Sequence, residues 1–283
     1  MIGATGRSAA FLFIALSCAA MVGSGLFARP SPEPADPAER RLLELLNAER
    51  NARGLPEVRW NPSLADLARG HAGDLLRSGE LSHLSTGDGA TYTHRLASAE
   101  LRVLAAAENL ARGRGADHAH AGLMDSPGHR AAILNPELEE VGIGVARPAG
   151  GGALFVVQDF ATFMPDFSDR EAGEALGAAL EQAWLQAGGP HPEENADLYG
   201  KLAAAVDEMV ATDSIDSGLV RAPAPAWVFA YTATDPAVLP AGVRARAGEV
   251  RRYAVAVAFR RTPSAPLGLY WVALALTEPV EKP

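Results

Sequence analysis

Apolar residues recur every three or four positions in two segments of the first half, and helix-boundary residues enclose both segments. The first segment runs from Ala38 to Arg53, after Asp36-Pro37 and before Gly54. The second begins after Asn61-Pro62 and stops at Gly79. An Asp or Asn N-cap followed by Pro, with Gly after the last periodic residue, is the usual boundary of a helix. The pattern therefore predicts two amphipathic helices.

Strand-like alternation follows, after a stretch without long periodicity. Over residues 91–134 the sequence predicts short helices joined by loops. Residues 141–145 then alternate β-branched side chains with glycine, and residues 153–163 are rich in β-branched and aromatic side chains. A proline and three consecutive glycines lie between these runs, in residues 147–152. These features predict a β-hairpin that closes the first half.

The second half has its own pattern. Ser168 and Glu171 have the spacing of a capping box, and apolar positions at helical spacing continue to Gly188. A second helix is predicted over about residues 194–211. Three strand-like runs follow, at residues 227–232, 253–259 and 269–276. Residues 166–283 are therefore expected to form an α+β module of two helices and then about three strands.

The last hairpin of the second half resembles the hairpin that closes the first. Val255 and Val257 alternate with small residues as Ile143 and Val145 do. A degenerate internal repeat and the generic pattern of any hairpin both fit this likeness, and the generic pattern is the favoured interpretation.

The chain begins with the pattern of a secretory signal peptide. Arg7 precedes an apolar run from Ala9 to Val22, and small residues follow from Gly23. This run is shorter than the roughly 20 apolar residues that cross a membrane. We therefore expect residues 1–28 to be a signal peptide, residues 29–37 to be a Pro-rich tether, and the mature chain to lack a transmembrane span.

The sole cysteine, Cys18, lies inside the apolar run. It fits two interpretations, as a filler residue of the signal or as the lipid acceptor of a lipoprotein. Removal of the whole signal would leave no thiol, which excludes a disulfide and a cysteine nucleophile. The expected location is outside the cell, in the periplasm or on the cell surface, with lipoprotein anchoring through Cys18 as the alternative.

Charge excludes one class of partner. The 283-residue chain has a formal net charge of −9, and its 34 acidic residues are spread along the sequence. Nucleic-acid binding needs clustered Lys and Arg that neutralise phosphates, and the sequence has no such cluster. The partner classes that remain are a small ligand, a lipid or an envelope component.

Three short stretches carry the chemistry of the first half, and their order is informative. They are residues 79–83, which end at His83, residues 107–111, which contain Glu108, and residues 124–136, which contain Ser126-Pro127-Gly128-His129-Arg130. Together with Gln158-Asp159-Phe160 in the closing hairpin, they resemble the CAP superfamily of cysteine-rich secretory, antigen 5 and pathogenesis-related class 1 proteins, in its bacterial cysteine-free branch. The resemblance covers about residues 38–163. It implies an α+β fold, an α-β-α sandwich with a central antiparallel sheet.

The resemblance also implies a cleft lined by two histidines and two glutamates. His83 matches the first histidine, Glu108 the first glutamate and His129 the second histidine. The second glutamate is missing, because Ser126 stands in its place with Asp125 beside it. The predicted ligand-binding residues are therefore His83, Glu108, His129 and Ser126.

Several kinds of chemistry fit these side chains. Two imidazoles and a carboxylate can complete three positions around Zn²⁺, so His83, Glu108 and His129 are candidate metal ligands and zinc is a candidate cofactor. The same groups can hold a proton, with one histidine charged against Glu108. They can also form a buried polar network that fixes the shape of the cleft.

The other polar residues of this region are expected to be structural. His71 lies on the apolar stripe of the second helix, as a hydrogen-bonded core histidine would. His118 and His120 are two positions apart and would face different sides of a helix, and His94 is expected to be exposed. Asn109 is expected to bond backbone groups. Arg130 could bind an anion near the mouth of the cleft, but an ion pair with a helix acid is the favoured interpretation.

These expectations lead to one functional hypothesis and two competitors. The hypothesis is a secreted or cell-surface binding module whose His/Glu cleft holds a divalent metal or a small ligand. The first competitor is an extracellular hydrolase, metal-dependent or of the Ser/His type, that acts on peptides or envelope material. Against a hydrolase of the Ser/His type, the sequence has no Gly-x-Ser-x-Gly turn to present a nucleophile. The second is an adhesive or scaffold protein. We expect the first domain to span residues 38–165, with a junction near residues 163–168.

Overall fold

The computed structural model describes residues 34–189, 191–216 and 226–279. The predicted signal peptide, Cys18 and most of the predicted tether lie outside these residues. Within them, no helix is long and apolar enough to cross a membrane.

The first half is a sheet covered by helices on both faces. In chain order its elements are α1 (Pro37–Asn51), β1 (Arg59–Trp60), α2 (Pro62–Ser78), α3 (Tyr92–Ser98), β2 (Val103–Gly113), α4 (Ala116–Asp125), α5 (Pro127–Ile133), β3 (Glu140–Ala146) and β4 (Leu154–Phe163). The strand order is β1-β3-β4-β2. Side chains of α1 and α4 form a core with one face of the sheet, and α2 packs on the other. This is the predicted α-β-α sandwich.

The predicted antiparallel sheet is correct for the three long strands. β2 and β3 both pair antiparallel with β4. The short strand β1 was not predicted, and it pairs parallel with β3. The sheet is therefore mixed.

The predicted helix boundaries are confirmed by their hydrogen bonds. The side chain of Asp36 accepts from the backbone N–H of Ala38, and that of Asn61 accepts from Leu64. Gly79 ends α2 in the left-handed conformation, with φ of 77°. These bonds satisfy backbone groups that the helix itself leaves without partners.

Two glycines of β3 let α2 lie directly on the sheet. A Cβ at Gly142 would lie 2.0 Å from the backbone N of Ala65, and one at Gly144 would lie 2.2 Å from the carbonyl carbon of Ala68. The alternating glycines that predicted a strand are thus the contact surface for the helix.

The prediction of short helices and loops over residues 91–134 is wrong in one respect. Residues 103–113 form β2, an 11-residue strand that carries Glu108. Its sequence is rich in alanine, which has a low preference for strands. Pairing along almost its whole length with β4 supplies the backbone hydrogen bonds that its own composition does not predict.

The second half contains the predicted two helices and three strands, with two short elements between them. In chain order they are α6 (Asp169–Ala187), β5 (Glu193–Glu194), α7 (Ala196–Thr212), β6 (Ala226–Ala233), α8 (Ala241–Arg244), β7 (Val250–Arg260) and β8 (Leu269–Pro279). The capping box of Ser168 and Glu171 is present. The strand order is β5-β7-β8-β6.

The two halves share one topology. In each, a two-residue strand pairs parallel with the third strand, and the last strand pairs antiparallel with the two others. β5 and α7 begin at residues 193 and 196 where β1 and α2 begin at 59 and 62, a shift of 134 residues in both cases. Gly54 and Gly188, at the same shift, both have φ of 69°.

One buried hydrogen bond is repeated with a different donor. Arg50 of α1 donates from Nη2 to the carbonyl of Leu138 at 3.2 Å. Trp184 of α6 lies 134 positions later and donates from Nε1 to the carbonyl of Val250 at 2.9 Å. The shared topology and this bond favour an internal repeat of the fold over the generic hairpin pattern that the sequence favoured.

Contacts cross between the two halves near the predicted junction. Arg102 donates to the carbonyl of Phe167 at 2.6 Å and to the hydroxyl of Tyr270 at 3.1 Å. Its guanidinium also lies 4.0 Å from the ring centroid of Phe259. The domain limits 38–165 and 166–283 remain a prediction. The two halves could separate at this junction only if these contacts were broken.

Candidate functional site

Glu108 lies at the centre of a polar cluster in the first half. It sits on β2 beside Asp159 of β4, and its side chain is only 3% exposed. One oxygen, Oε1, lies 2.7 Å from Nδ1 of His83, which follows α2. The other oxygen, Oε2, forms an ion pair with the guanidinium of Arg95. Glu108 therefore has a different partner on each of its two oxygens.

Arg95 of α3 is the functional residue that the motifs did not reveal. Besides Glu108, it donates to the carbonyls of His83 and Ala90, at 3.3 and 2.9 Å, and to the hydroxyl of Ser85 at 3.1 Å. It therefore fixes the loop that carries His83 as well as neutralising Glu108. No residue pattern around position 95 indicates this role, because the contact depends on how α3 folds back over the loop.

Asp159 is a second buried carboxyl group at the site. Its side chain is fully buried, no N–H group donates to its oxygens in the described structure, and its nearest carboxyl partner is Glu108, to which a protonated Asp159 can donate. Burial, and then the nearby charge of Glu108, raise the pKa of Asp159 well above its ordinary value. The sequence feature that could have indicated this buried carboxyl group is the position of Asp159 within the apolar run of residues 153–163.

His71 is the buried core histidine that the sequence predicted. Its Nε2 lies 2.9 Å from the carbonyl oxygen of Ser82, just before His83. Burial is the main cause that lowers the pKa of His71, and the charge of Arg95 adds to it. Nε2 also lies 3.9 Å from Oε2 of Glu108, so this histidine borders the site as well as the core.

His129, on α5, lies at the other side of the cluster. Its pKa is lowered by burial and, secondly, by the positive charge of His83. Asn109 donates to the carbonyl of His129 at 3.1 Å and to Oε1 of Gln158 at 3.2 Å. Asn109 thus has the predicted structural role, because it ties α5 to the sheet.

The two serines near the site histidines make no contact that would activate them. Ser126 joins α4 to α5, and its side chain makes no capping hydrogen bond. Ser82 donates to the carbonyl of Leu84 at 3.3 Å, in a local turn. Arg130 donates to the carbonyl of Met124 at 2.8 Å, so the predicted ion pair with a helix acid is wrong.

The remaining histidines lie where the sequence placed them. His94 and His118 are exposed, whereas His120 is buried in α4. His118 and His120 therefore face different sides of the helix.

The arrangement does not fit a three-ligand zinc site. Among the residues that the structure describes, no group of three His, Cys, Asp or Glu side chains is placed to hold a metal ion. Both oxygens of Glu108 are already engaged, one by His83 and one by Arg95. An arginine beside a carboxylate competes with a cation for the same oxygen.

The exposed side of the cluster is formed by imidazole. The side chain of His83 is 60% exposed, and its Nδ1 is bound to Glu108, so Nε2 is the ring nitrogen available to a ligand. A carboxylate that accepts from one ring nitrogen orients the other. The cluster can therefore present two imidazoles, His83 and His129, beside a carboxylate whose charge is already balanced.

The second half has lost these groups. The shift of 134 residues places Ala205 where the first half has His71. The backbone N–H groups of Asn61 and Asn195 donate to carbonyls at corresponding places in β3 and β7. These two hydrogen bonds show which residues of the two sheets correspond. The pair Glu108 and Asp159 then corresponds to Val228 and Ala275.

Comparisons with known proteins concern the first half. The family model described as "CAP: Cysteine-rich secretory protein family" matches residues 43–160. The chain is 32% identical over 111 residues to the uncharacterized membrane protein YlbC of Bacillus subtilis, across 39% of this chain and 32% of that protein. It is 30% identical over 115 residues to YkwD of the same organism, across 40% of this chain and 44% of that protein.

Among solved structures, an extracellular protein containing a SCP domain from Bacillus anthracis is 28% identical with a TM-score of 0.40, over 46% of this chain and 45% of that one. The chain thus spans less than half of the length of the curated relatives it matches. The matched segment contains His83, Glu108 and His129, the residues on which the resemblance rests. Residues 43–160 therefore belong to the CAP family of cysteine-rich secretory proteins.

Proposed function

We propose that this protein is a secreted or surface-exposed binding protein, and that His83 and His129 bind a small anionic group, a carboxylate or a phosphate. The N-terminal secretory pattern of residues 1–28 supports the location. The observation that carries the ligand class is the ion pair between Arg95 and Glu108, with His83 bound to the same carboxylate at 2.7 Å.

The charge balance of the cluster favours an anion over a cation. Arg95 neutralises Glu108, and burial shifts the pKa of Asp159 upward and that of His71 downward, which favours their uncharged forms. Protonation of His83 or His129 then leaves a net positive charge at the exposed side. The positive charges of two protonated imidazoles repel each other. An anion bound between them would offset that repulsion.

The hydrolase alternative lacks a nucleophile. Neither Ser82 nor Ser126 shares a hydrogen bond with an imidazole among the contacts the structure describes. Glu108 is held by two partners and is poorly placed to accept a proton from water. We expect no turnover of peptide, ester or cell-wall substrates, with or without Zn²⁺. Turnover that is lost in Glu108→Gln or in Ser126→Ala, in a folded protein, would establish the hydrolase instead.

The proposal is tested by calorimetry with inorganic phosphate and with acetate, at about pH 6, where imidazoles are partly protonated. We expect the double variant His83→Ala/His129→Ala to bind phosphate or acetate at least about tenfold more weakly, a loss of about 1.4 kcal/mol. His94→Ala, at an exposed position outside the cluster, is the control. Equal anion affinity in the double variant contradicts the proposal. A Zn²⁺ titration in parallel that requires His83, Glu108 and His129 would favour the metal site.

A further inference from the structure

The second half contains an open groove at a place that side chains occupy in the first half. It has a volume of about 580 Å³ and lies between α6 and β7, where β5 and the start of α7 border it. In the first half the corresponding space is filled. The buried carboxylate of Glu39 binds Arg69 at 2.6 Å, Arg69 lies over the ring of Trp60, and Leu43 packs against the core.

Small residues replace these side chains in the second half. The shift of 134 residues brings Gly173 to the position of Glu39, Gly177 to that of Leu43 and Ala203 to that of Arg69. Both glycines line the groove. A Cβ at Gly177 would lie 3.1 Å from the hydroxyl of Tyr253, so the glycine keeps this space open.

An unpaired strand edge borders the groove. β5 pairs with β7 at Arg252 and Tyr253 alone, and no other described strand lies on that side. The carbonyl of Tyr253 accepts from Asn195, and the N–H of Phe259 donates to Asp169, so alternate residues direct their backbone groups to this edge. Val255 and Val257 lie between these two ends and line the groove. No strand in the described part of the chain pairs with their outward N–H and C=O groups, so an extended chain could pair there.

The unpaired carboxylates of the groove favour a positively charged ligand. Glu181 and Glu194 line it, and neither forms an ion pair among the described residues. The other charged lining residues are paired, Asp169 with Arg260 and Glu174 with Arg170. Tyr253 also lines the groove, and its hydroxyl makes no hydrogen bond among the described contacts and is accessible there to a ligand.

We propose that this groove binds an extended peptide segment bearing lysine or arginine, which adds to the free edge of β7 as a continuation of β5. Backbone pairing with Val255 and Val257 gives the affinity, and a basic side chain that reaches Glu181, Glu194 and the hydroxyl of Tyr253 gives the selectivity. The distance from Tyr253 to Phe259 along a strand is about 20 Å, which matches about six extended residues.

The test uses the full chain and a blocked peptide of about six residues that alternates valine with lysine. A second peptide, with glutamate in place of lysine, is the charge control. We expect the lysine peptide to bind, and the backbone amides of Val255 and Val257 to shift in NMR spectra. The double variant Glu181→Gln/Glu194→Gln should weaken binding at least about tenfold. Glu193→Gln/Asp207→Asn removes two exposed charges outside the groove and should leave the affinity unchanged.

A second variant closes the groove by sterics. Gly177→Leu restores the residue type of the first half and should abolish peptide binding, while Gly70→Leu, at an exposed helical position with open space around it, should not. Both must show the unfolding transition of the wild type. If Gly177→Leu does not fold like the wild type, the charge variants decide. Equal binding of the two peptides, or binding that survives the Glu181→Gln/Glu194→Gln change, overturns the proposal. So does self-association of the wild type through this edge that the lysine peptide does not displace.

Discussion

Glu108 is the residue on which the polar cluster depends, because it is a buried carboxylate with a different partner on each oxygen. His83 occupies Oε1 and Arg95 occupies Oε2. A carboxylate in such a place is stable only while its positive partner is present. The sequence pattern indicated Glu108 and His83 but not the arginine that makes their arrangement possible.

Removal of Arg95 is expected to destabilise the fold strongly. Arg95→Met leaves the charge of Glu108 buried without its main partner, which typically costs about 3–5 kcal/mol. Chemical denaturation measures the loss. Arg41→Met breaks an exposed pair with Asp117 and should cost less than about 1 kcal/mol. The variant Arg95→Met/Glu108→Gln should recover part of the stability, and equal losses in Arg95→Met and Arg41→Met would contradict this account.

Arg95 is also expected to control metal binding. In the wild type, Zn²⁺ must compete with the guanidinium for Oε2 of Glu108. Arg95→Met should therefore raise the affinity of the cluster for Zn²⁺, as measured by calorimetry. Metal affinity that is unchanged by this substitution would place any bound zinc elsewhere.

Asp159 should make stability depend on pH. Its folded pKa lies above the ordinary value of about 4, so the folded protein keeps a proton that the unfolded chain loses. The stability it contributes is fully present below about pH 4 and is lost as the pH rises through the folded pKa. Asp159→Asn should therefore be more stable than the wild type at neutral pH, and the gain should shrink in acid. Asp125→Asn, at an exposed position, is the control; a gain independent of pH would contradict the assignment.

At the scale of elements, the hairpin of β3 and β4 and the capped helices could be predicted, whereas β2 could not. Alternation in residues 141–145 and the cap at Asn61 are local signals that the fold preserves. β2 carries an alanine-rich sequence whose strand conformation comes from pairing with β4. The role of Arg95 could not be predicted for the same reason, because its contact with Glu108 depends on tertiary folding.

The contact between α2 and β3 is expected to tolerate no added methyl group. Gly142→Ala places a Cβ about 2.0 Å from the backbone of α2, so the helix must move. We expect a loss of at least about 1–3 kcal/mol in the free energy of unfolding. Gly150→Ala, with open space around it, should be nearly neutral. Equal effects of the two substitutions would mean that the helix does not lie against the strand as described.

At the scale of the whole molecule, one fold occurs twice with different chemistry. The first copy keeps His71, Glu108 and Asp159, and the second has alanine or valine at the matching places. The identical strand order could not be predicted, because few residues are shared between the copies and the short strands β1 and β5 have no sequence signal of their own.

The junction between the copies is expected to be a site of limited proteolysis that Tyr270 protects. Cleavage near residues 163–168 should release a stable fragment of about residues 38–165. The hydroxyl of Tyr270 accepts from the N–H of Phe167 at 3.0 Å and from Arg102 at 3.1 Å. Tyr270→Phe should therefore speed cleavage, and Tyr199→Phe, at an exposed position, should not. Resistance to cleavage in all three proteins would mean that the two copies fold as one unit.

The most direct test of the binding site is the titration of the His83 and His129 rings, followed by NMR with and without inorganic phosphate. His129 starts from a pKa lowered by burial and by the charge of His83. An anion bound to both imidazoles favours protonated His129, so phosphate should raise the pKa of His129 and change the ring signals of His83, whereas the ring signals of His94 should not change. In His83→Ala, the pKa of His129 should rise without phosphate and become nearly insensitive to it. If phosphate leaves both rings unchanged in the wild type, His83 and His129 do not form an anion site.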